Sequence, residues 1–290
     1  MQAFAIVGDE ADRGLERLLP SLDGRVATVR TGGPSSAASQ GDRGRAADGG
    51  VAAVSGDTEY VLDEGWHGSG DGLSVGDVLE RLAPYHDYAV VLGPGAVGSV
   101  LPTIVVGNSR LLDSTDNEHR ADGESSNSDP IVDVGSAAAL DVDDAIAAID
   151  DTEPFETLES LVAEVKRSPA AEFAGAIATF TGRVRAKEGP EDDRTRYLEF
   201  EKYEGVADQR MRRIEEELAE RAGVQEVRLH HRTGRVDDGE DIVFVVVLAG
   251  HREEAFRTVE DGINRLKDEV PLFKREVTED ETFWVHERET

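Results

Sequence analysis

The apolar run at residues 241–248, DIVFVVVL, constrains this chain most. Its β-branched and aromatic residues and the glycine at 250 predict a strand, followed at once by a helix over 253–270 that Pro271 stops. Residues 173–184, 197–202 (YLEFEK) and 227–232 read as further strands, with a turn at 236–239 leading into the apolar run. Residues 207–222 read as a helix with an acidic and arginine-rich outer face, and 273–277 with 283–286 as a closing hairpin. Strands at such short intervals predict an α+β domain with a mainly antiparallel sheet. Ahead of it, Phe155, Leu158, Leu161, Val162 and Val165 form a helical stripe that Ser168-Pro169 ends, so the domain spans 151–290.

Two segments of this domain, AGAIATFTGRVRAK (174–187) and GHREEAFRTVEDGINRLKDEVPLFKRE (250–276), carry Arg183, Arg185, His251, Arg252, Lys267, Lys274 and Arg275. They do so in a chain with 61 acidic and 31 basic side chains, net charge −30, and only five lysines. A cation cluster kept against that background predicts a pocket for an anion. Arg183 and Arg185 stand two apart at a strand end and so share a side, and guanidinium pairs suit bidentate phosphate binding. The alternative is a surface ion pair with Glu188 or Glu191. His251-Arg252 begins a helix, where backbone N–H groups also favour an anion; the alternative is an ordinary cap. Lys267 and Lys274 could equally face solvent.

The acidity argues against nucleic acid as a partner, and the Glu/Asp-rich, Lys-poor balance is what a high-salt cytoplasm favours. With no cysteine, thiolate nucleophiles and cysteine metal sites are excluded. His230 and His231 are adjacent on a strand and face opposite ways, and no third ligand is evident, so no metal is expected. The N-terminus MQAFAIVGDE lacks a signal-peptide pattern, and no apolar stretch approaches the roughly 20 residues that span a membrane, so a cytoplasmic protein is expected.

In residues 1–150, strands are predicted at 2–7, 25–30, 60–63, 88–92 and 103–106, and helices at 15–22 and 75–82. That alternation predicts an α/β domain with a mainly parallel sheet. Low-complexity loops are expected at 31–50 and, disordered, at 107–130. Strand, Gly8 and helix would suit a phosphate loop, but the segment lacks the lysine and hydroxyl of G-x-x-x-x-G-K-[ST] and holds Asp9, Glu10 and Asp12 instead. No nucleotide-binding residues are assigned. The order of AIVGDEADRGLERLLPSL, GRVATVR, DVLERLAPYHDYAVVLGPG and LPTIVVGN faintly resembles the MobB family of molybdopterin-guanine dinucleotide accessory proteins, in a degenerate P-loop-like form suited to docking.

TFTGRVR, HHRTGRVDDGEDIVFVVVLAGHREEAF and LKDEVPLFKRE resemble the MoaE family, the large catalytic subunit of molybdopterin synthase, over residues 151–290. The resemblance implies a sulfurtransferase of molybdenum cofactor biosynthesis without a permanently bound cofactor. A MoaD-like small subunit would deliver sulfur from a C-terminal Gly-Gly thiocarboxylate to cyclic pyranopterin monophosphate, forming the dithiolene of molybdopterin. It implies substrate binding by Arg183, Val184, Arg185, His251, Arg252, Arg275 and Glu276. It implies catalysis by Lys267, stabilising charge on the thiocarboxylate adduct or acting as a general acid/base with a pKa lowered by neighbouring cations, and by Lys274, both also contacting substrate. Phe180 would wall the channel for the partner's tail, or else be core. Since His251 and Lys267 are separated by a helix of roughly 20–24 Å, a symmetric dimer sharing its sites, the core of a heterotetramer, is expected. The competing readings are a bifunctional protein whose first domain binds GTP or a molybdopterin nucleotide, and a non-catalytic pathway scaffold.

Overall fold

In this computed structural model the described residues are 1–32, 58–62, 66–70, 72–93, 101–108, 129–203, 205–278 and 282–285. They divide into two units, Met1–Phe155 and Glu156–Thr290, so the division falls five residues beyond the expected 150. The expected loops at 31–50 and 107–130 lie almost wholly outside the described residues. Among the described residues no helix is long and apolar enough to cross a membrane.

In the first unit β1 (Gln2–Val7) sits at the centre of a five-stranded sheet, with β5 (Tyr88–Leu92) and β2 (Val26–Arg30) on one side and β6 (Thr103–Val106) and β7 (Val132–Val134) on the other. All its pairings are parallel. Phe4 and Ile6 point to one face, under α1 (Ala11–Leu18) and α3 (Val142–Asp150). Ala3, Ala5 and Val7 point to the other, with Leu79 of α2 (Val75–Leu82). Burial on both faces explains why AFAIV and YAVVL are unbroken apolar runs. A separate antiparallel hairpin joins β3 (Thr58–Leu62) and β4 (Trp66–Gly70). The helix expected over 15–22 instead starts at Ala11, and Leu19-Pro20 tightens its end into a 3-10 turn. Proline fills the first turn of that 3-10 piece, where its missing N–H costs nothing.

The second unit holds two antiparallel sheets. The order β10 (Val224–His231), β12 (Asp241–Ala249), β8 (Ala176–Arg183) makes the first. β12 is its middle strand. Val243, Val245, Val247 and Ala249 pack against α5 (Val206–Ala219) and α6 (Arg252–Glu269), while Phe244, Val246 and Leu248 meet Leu161 and Val165 of α4 (Leu158–Arg167). Helices on both faces account for the continuous apolar run. The second sheet runs β11 (Gly234–Asp237), β9 (Thr195–Lys202), β13 (Leu272–Thr278), β14 (Thr282–Val285). Val236, expected in a turn, is a fully buried residue of β11, which pairs with β9 rather than with β12. The turn itself is shorter, at Asp238-Gly239, where Gly239 takes φ +86°.

β10 is an edge strand of its sheet, and Glu215 of α5 accepts the Leu229 N–H at 2.6 Å on that edge. Burial pushes the Glu215 carboxyl up to about 7, outweighing the lowering by that N–H and by Arg228. Its folded value lies above the ordinary 4.5, so folding takes up a proton between these values, and stability falls as pH rises through that window. Above pH 7 the ionised carboxylate costs on the order of 1–3 kcal/mol. Glu215→Gln, which keeps the accepting oxygen, is therefore expected to be more stable than wild type at pH 8 and to lose that advantage near pH 4.5. Denaturant unfolding at both pH values checks this; an equal difference at both would remove the titration argument.

Candidate functional site

A cavity of about 850 Å³ opens in the second unit where the two sheets meet the end of α6. Gly182 and Arg183 come from the end of β8, Leu198 and Phe200 from β9, His231 from β10, Leu266 and Lys267 from α6, and Lys274 and Glu276 from β13. The wall therefore has an apolar part (Phe180, Leu198, Phe200, Ile263, Leu266, Phe273) and a charged part. Four cations, Arg183, Arg185, Lys267 and Lys274, face two carboxylates, Glu188 and Glu276, a balance of +2 (4 − 2) within a chain of net charge −30.

Local structure aims each of these groups. Arg183 ends β8 opposite Asp241, and its guanidinium donates to the Gly239 carbonyl (Nε, 3.0 Å) and pairs with Asp241 at 3.2 Å. Arg185 pairs with Glu188 at 3.1 Å. Both arginine side chains are about two-thirds exposed, so these pairs contribute little and the guanidiniums can turn to a ligand at small cost. Lys267 occupies the last turn of α6, where the helix's negative end favours a cation. Val270 leaves the helical conformation, and Pro271 cannot continue it. Lys274 and Glu276 share one face of β13, opposite Phe200 and Leu198 of β9, and the Thr195 hydroxyl, itself buried, donates to Glu276.

Of the residues expected at a site, Phe180, Arg183, Arg185, Lys267, Lys274 and Glu276 are brought together. Four are not. Val184 is buried among Leu198, Phe200 and Val236, behind the lining, and its N–H and carbonyl bond Glu240 and Gly239. Arg275 points to the opposite face of β13 and pairs there with Glu199, its register partner. The period of two along a strand forces this separation from Lys274 and Glu276. His251 caps the start of α6 in an extended conformation with no side-chain cap bond, and His251 and Arg252 are exposed. The 15 residue steps from Arg252 to Lys267 place that end about 22 Å from Lys267.

Sequence reasoning missed His231, Thr195 and Gly182 as wall residues. His231 is buried, with its ring edge-on to Phe200 at 4.7 Å, whereas His230 stacks on Phe244 from the other face of β10. The alternation had separated the two histidines, but which one faced a cavity depended on where the second sheet packs. Among the described residues no group of three or more histidine or acidic side chains could hold a metal ion.

At the carboxyl end of the parallel sheet in the first unit, two of the chain's own acids accept backbone N–H groups. Asp9 accepts the Asn108 N–H at 2.7 Å, and Glu10 accepts the Ala137 N–H at 2.8 Å. Helix α1 begins three residues after Gly8, so Gly14 lies inside it, where a Cβ would meet a Val106 methyl at 2.9 Å. Both glycines serve close packing onto Val106; a Cβ on Gly8 would meet its carbonyl oxygen at 2.1 Å.

The MoaE protein family matches residues 151–269. A protein of Haloferax volcanii named probable molybdopterin synthase is 47% identical over 289 residues, 99% of this chain and 100% of that protein. A molybdopterin synthase catalytic subunit of Staphylococcus aureus strain COL is 32% identical over 133 residues, 46% of this chain and 85% of that one. The crystal structure of molybdopterin synthase from Staphylococcus aureus aligns with TM-score 0.40 and 32% identity, covering 46% of this chain and 93% of that one.

Gly182 offers a direct test of the cavity wall. A Cβ there would meet Cγ1 of Val243 at 2.5 Å, between strands held in register. Valine is stiff about χ1, so Gly182→Ala is expected to lower stability by about 1–3 kcal/mol through overpacking. Denaturant unfolding measures it, and an unchanged midpoint would mean that Val243 turns aside freely.

Proposed function

The chain belongs to the MoaE family of molybdopterin synthase large subunits, sulfurtransferases of molybdenum cofactor biosynthesis, and we propose that the cavity of its second unit is where the transfer occurs. The observation that carries this reading is the cation set of Arg183, Arg185, Lys267 and Lys274 beside an apolar wall, in a chain otherwise strongly acidic. The donor is a MoaD-like small subunit whose C-terminal Gly-Gly thiocarboxylate enters along the apolar wall past Phe180. The acceptor is cyclic pyranopterin monophosphate, its phosphate held by the arginines, and the product is molybdopterin. Lys267, next to Leu266 of the apolar wall, stabilises negative charge as sulfur is transferred. Lys274 and Glu276, fixed on one strand face, orient the acceptor.

His251 and Arg252 belong to the same reading only if a second copy supplies them, because the length of α6 keeps them from their own cavity. A two-fold dimer, the core of a heterotetramer with two small subunits, meets this requirement. The first unit takes the docking role. The Asp9 and Glu10 carboxylates, hydrogen-bonded to backbone N–H groups at the sheet's carboxyl end, disfavour the nucleotide reading because a phosphate would meet like charge.

Sulfur transfer in molar salt, with thiocarboxylated small subunit and cyclic pyranopterin monophosphate, tests the reading. Wild type is expected to form molybdopterin, and Lys267→Ala to lose it by roughly 100-fold or more, the scale of a lost charge-stabilising donor. Mixing Lys267→Ala with His251→Ala should then restore about a quarter of wild-type activity, since half of random dimers are mixed and each holds one intact site of two. No restoration would refute the shared site. Equilibrium dialysis of the whole protein against GTP should show no saturable binding; saturable binding would return the first unit to nucleotide chemistry.

A further inference from the structure

Delivering sulfur from a thiocarboxylate creates a second chemical task at the same cavity. Once the sulfur bonds to the acceptor carbon, the donor's terminal carbonyl is joined to that sulfur as a thioester. The small subunit leaves only when water splits it: R–CO–S–R′ + H2O → R–COOH + HS–R′. The new C–O bond forms, the acyl C–S bond breaks, a proton leaves the water and a proton ends on sulfur. A side chain that accepts a proton near neutral pH is the group such a step calls for.

The charged groups on the wall fill other roles. Lys267, Lys274, Arg183 and Arg185 are, in the reading above, the groups that hold the acceptor or stabilise negative charge. Glu188 is paired with Arg185 at 3.1 Å, and Glu276 accepts the Thr195 hydroxyl. Beside the wall, Arg232 donates to the Asp241 carbonyl at 3.0 Å and lies 3.9 Å from Glu240, and Asp241 itself pairs with Arg183. His231 brings the one imidazole among the described lining side chains, a group that accepts a proton on its second nitrogen when neutral. Only 6% exposed, it sits with its Nδ1 2.8 Å from the Arg232 carbonyl. A carbonyl cannot donate, so Nδ1 carries the hydrogen of the neutral ring and Nε2 is its basic nitrogen. The ring edge against Phe200 fixes its plane, and Phe200 is the register partner of Lys274. On the other side the register runs from His231 through Val243 to Gly182, the residue before Arg183. The imidazole thus stands on the wall between the strands that carry the arginine and lysine groups.

Resting on the sulfur-transfer reading, we infer that His231 is the general base of the hydrolytic half of the reaction. Nε2 takes the proton from the attacking water and returns it to the leaving sulfur. His231→Asn keeps a donor to the Arg232 carbonyl and removes Nε2; His231→Gln keeps a polar atom near Nε2 without its basicity. Single-turnover reactions are followed by product formation across pH 5.5–9 and by intact mass of the small subunit. Both variants are expected to slow product formation at least 10-fold, to lose the fall in rate that wild type shows toward acid pH, and to accumulate the small subunit–acceptor adduct. A rate within threefold of wild type with no adduct would overturn the assignment. So would loss of small-subunit binding in both variants, which would make His231 a packing residue. Absence of product from wild type would instead sink the sulfur-transfer reading itself.

Discussion

The burial of β12 on both faces is the constraint on which the second unit depends. Its odd-numbered residues from Val243 to Ala249 meet α5 and α6, and its even-numbered ones meet α4, so a slip of one residue would exchange both cores. That fixed register sets the row His231–Val243–Gly182 and the pair Arg183–Asp241. The same strand hands directly over to α6, whose 18 residues carry Lys267 back to the cavity. The hydrophobic requirement of one strand thereby positions Arg183 and Lys267.

The electrostatics of the wall make sense only against the chain as a whole. A molecule of net charge −30 repels anions at a distance, and screening by salt confines that repulsion to short range. Within the cavity the local balance is reversed, and low-dielectric apolar walls strengthen it. The arginines are held by exposed pairs that give way easily, whereas Glu276 is held by a buried hydroxyl. The cavity therefore combines guanidiniums that can turn with a carboxylate held in place.

The first unit solves the opposite problem. Its parallel sheet ends in backbone N–H groups that in related architectures invite an anion, yet two of them are already met by Asp9 and Glu10. Gly8 and Gly14, which look like parts of a phosphate loop, serve close packing of α1 onto Val106. The chain's own carboxylates stand where an external anion would bring its charge.

Much of the architecture was determined by the sequence alone, because local signals agree there. QAFAIV, YAVVL, TIVV and DIVFVVVL have lengths and β-branched content that leave strands as the economical solution, and Pro271 ends α6 where the pattern does. The cation set was legible as well, since lysine is scarce and its two cavity members fall in one short segment. Tertiary structure decided what local periodicity cannot: that Val236 joins β9 rather than forming a turn, that Arg275 faces away from the cavity, and that Val184 is buried behind its lining. It also decided that His231, not His230, reaches the wall. The reason is the same in each case. A strand's alternation says that neighbours face opposite ways, but which way is inward is settled only by the sheet or helix that packs against it.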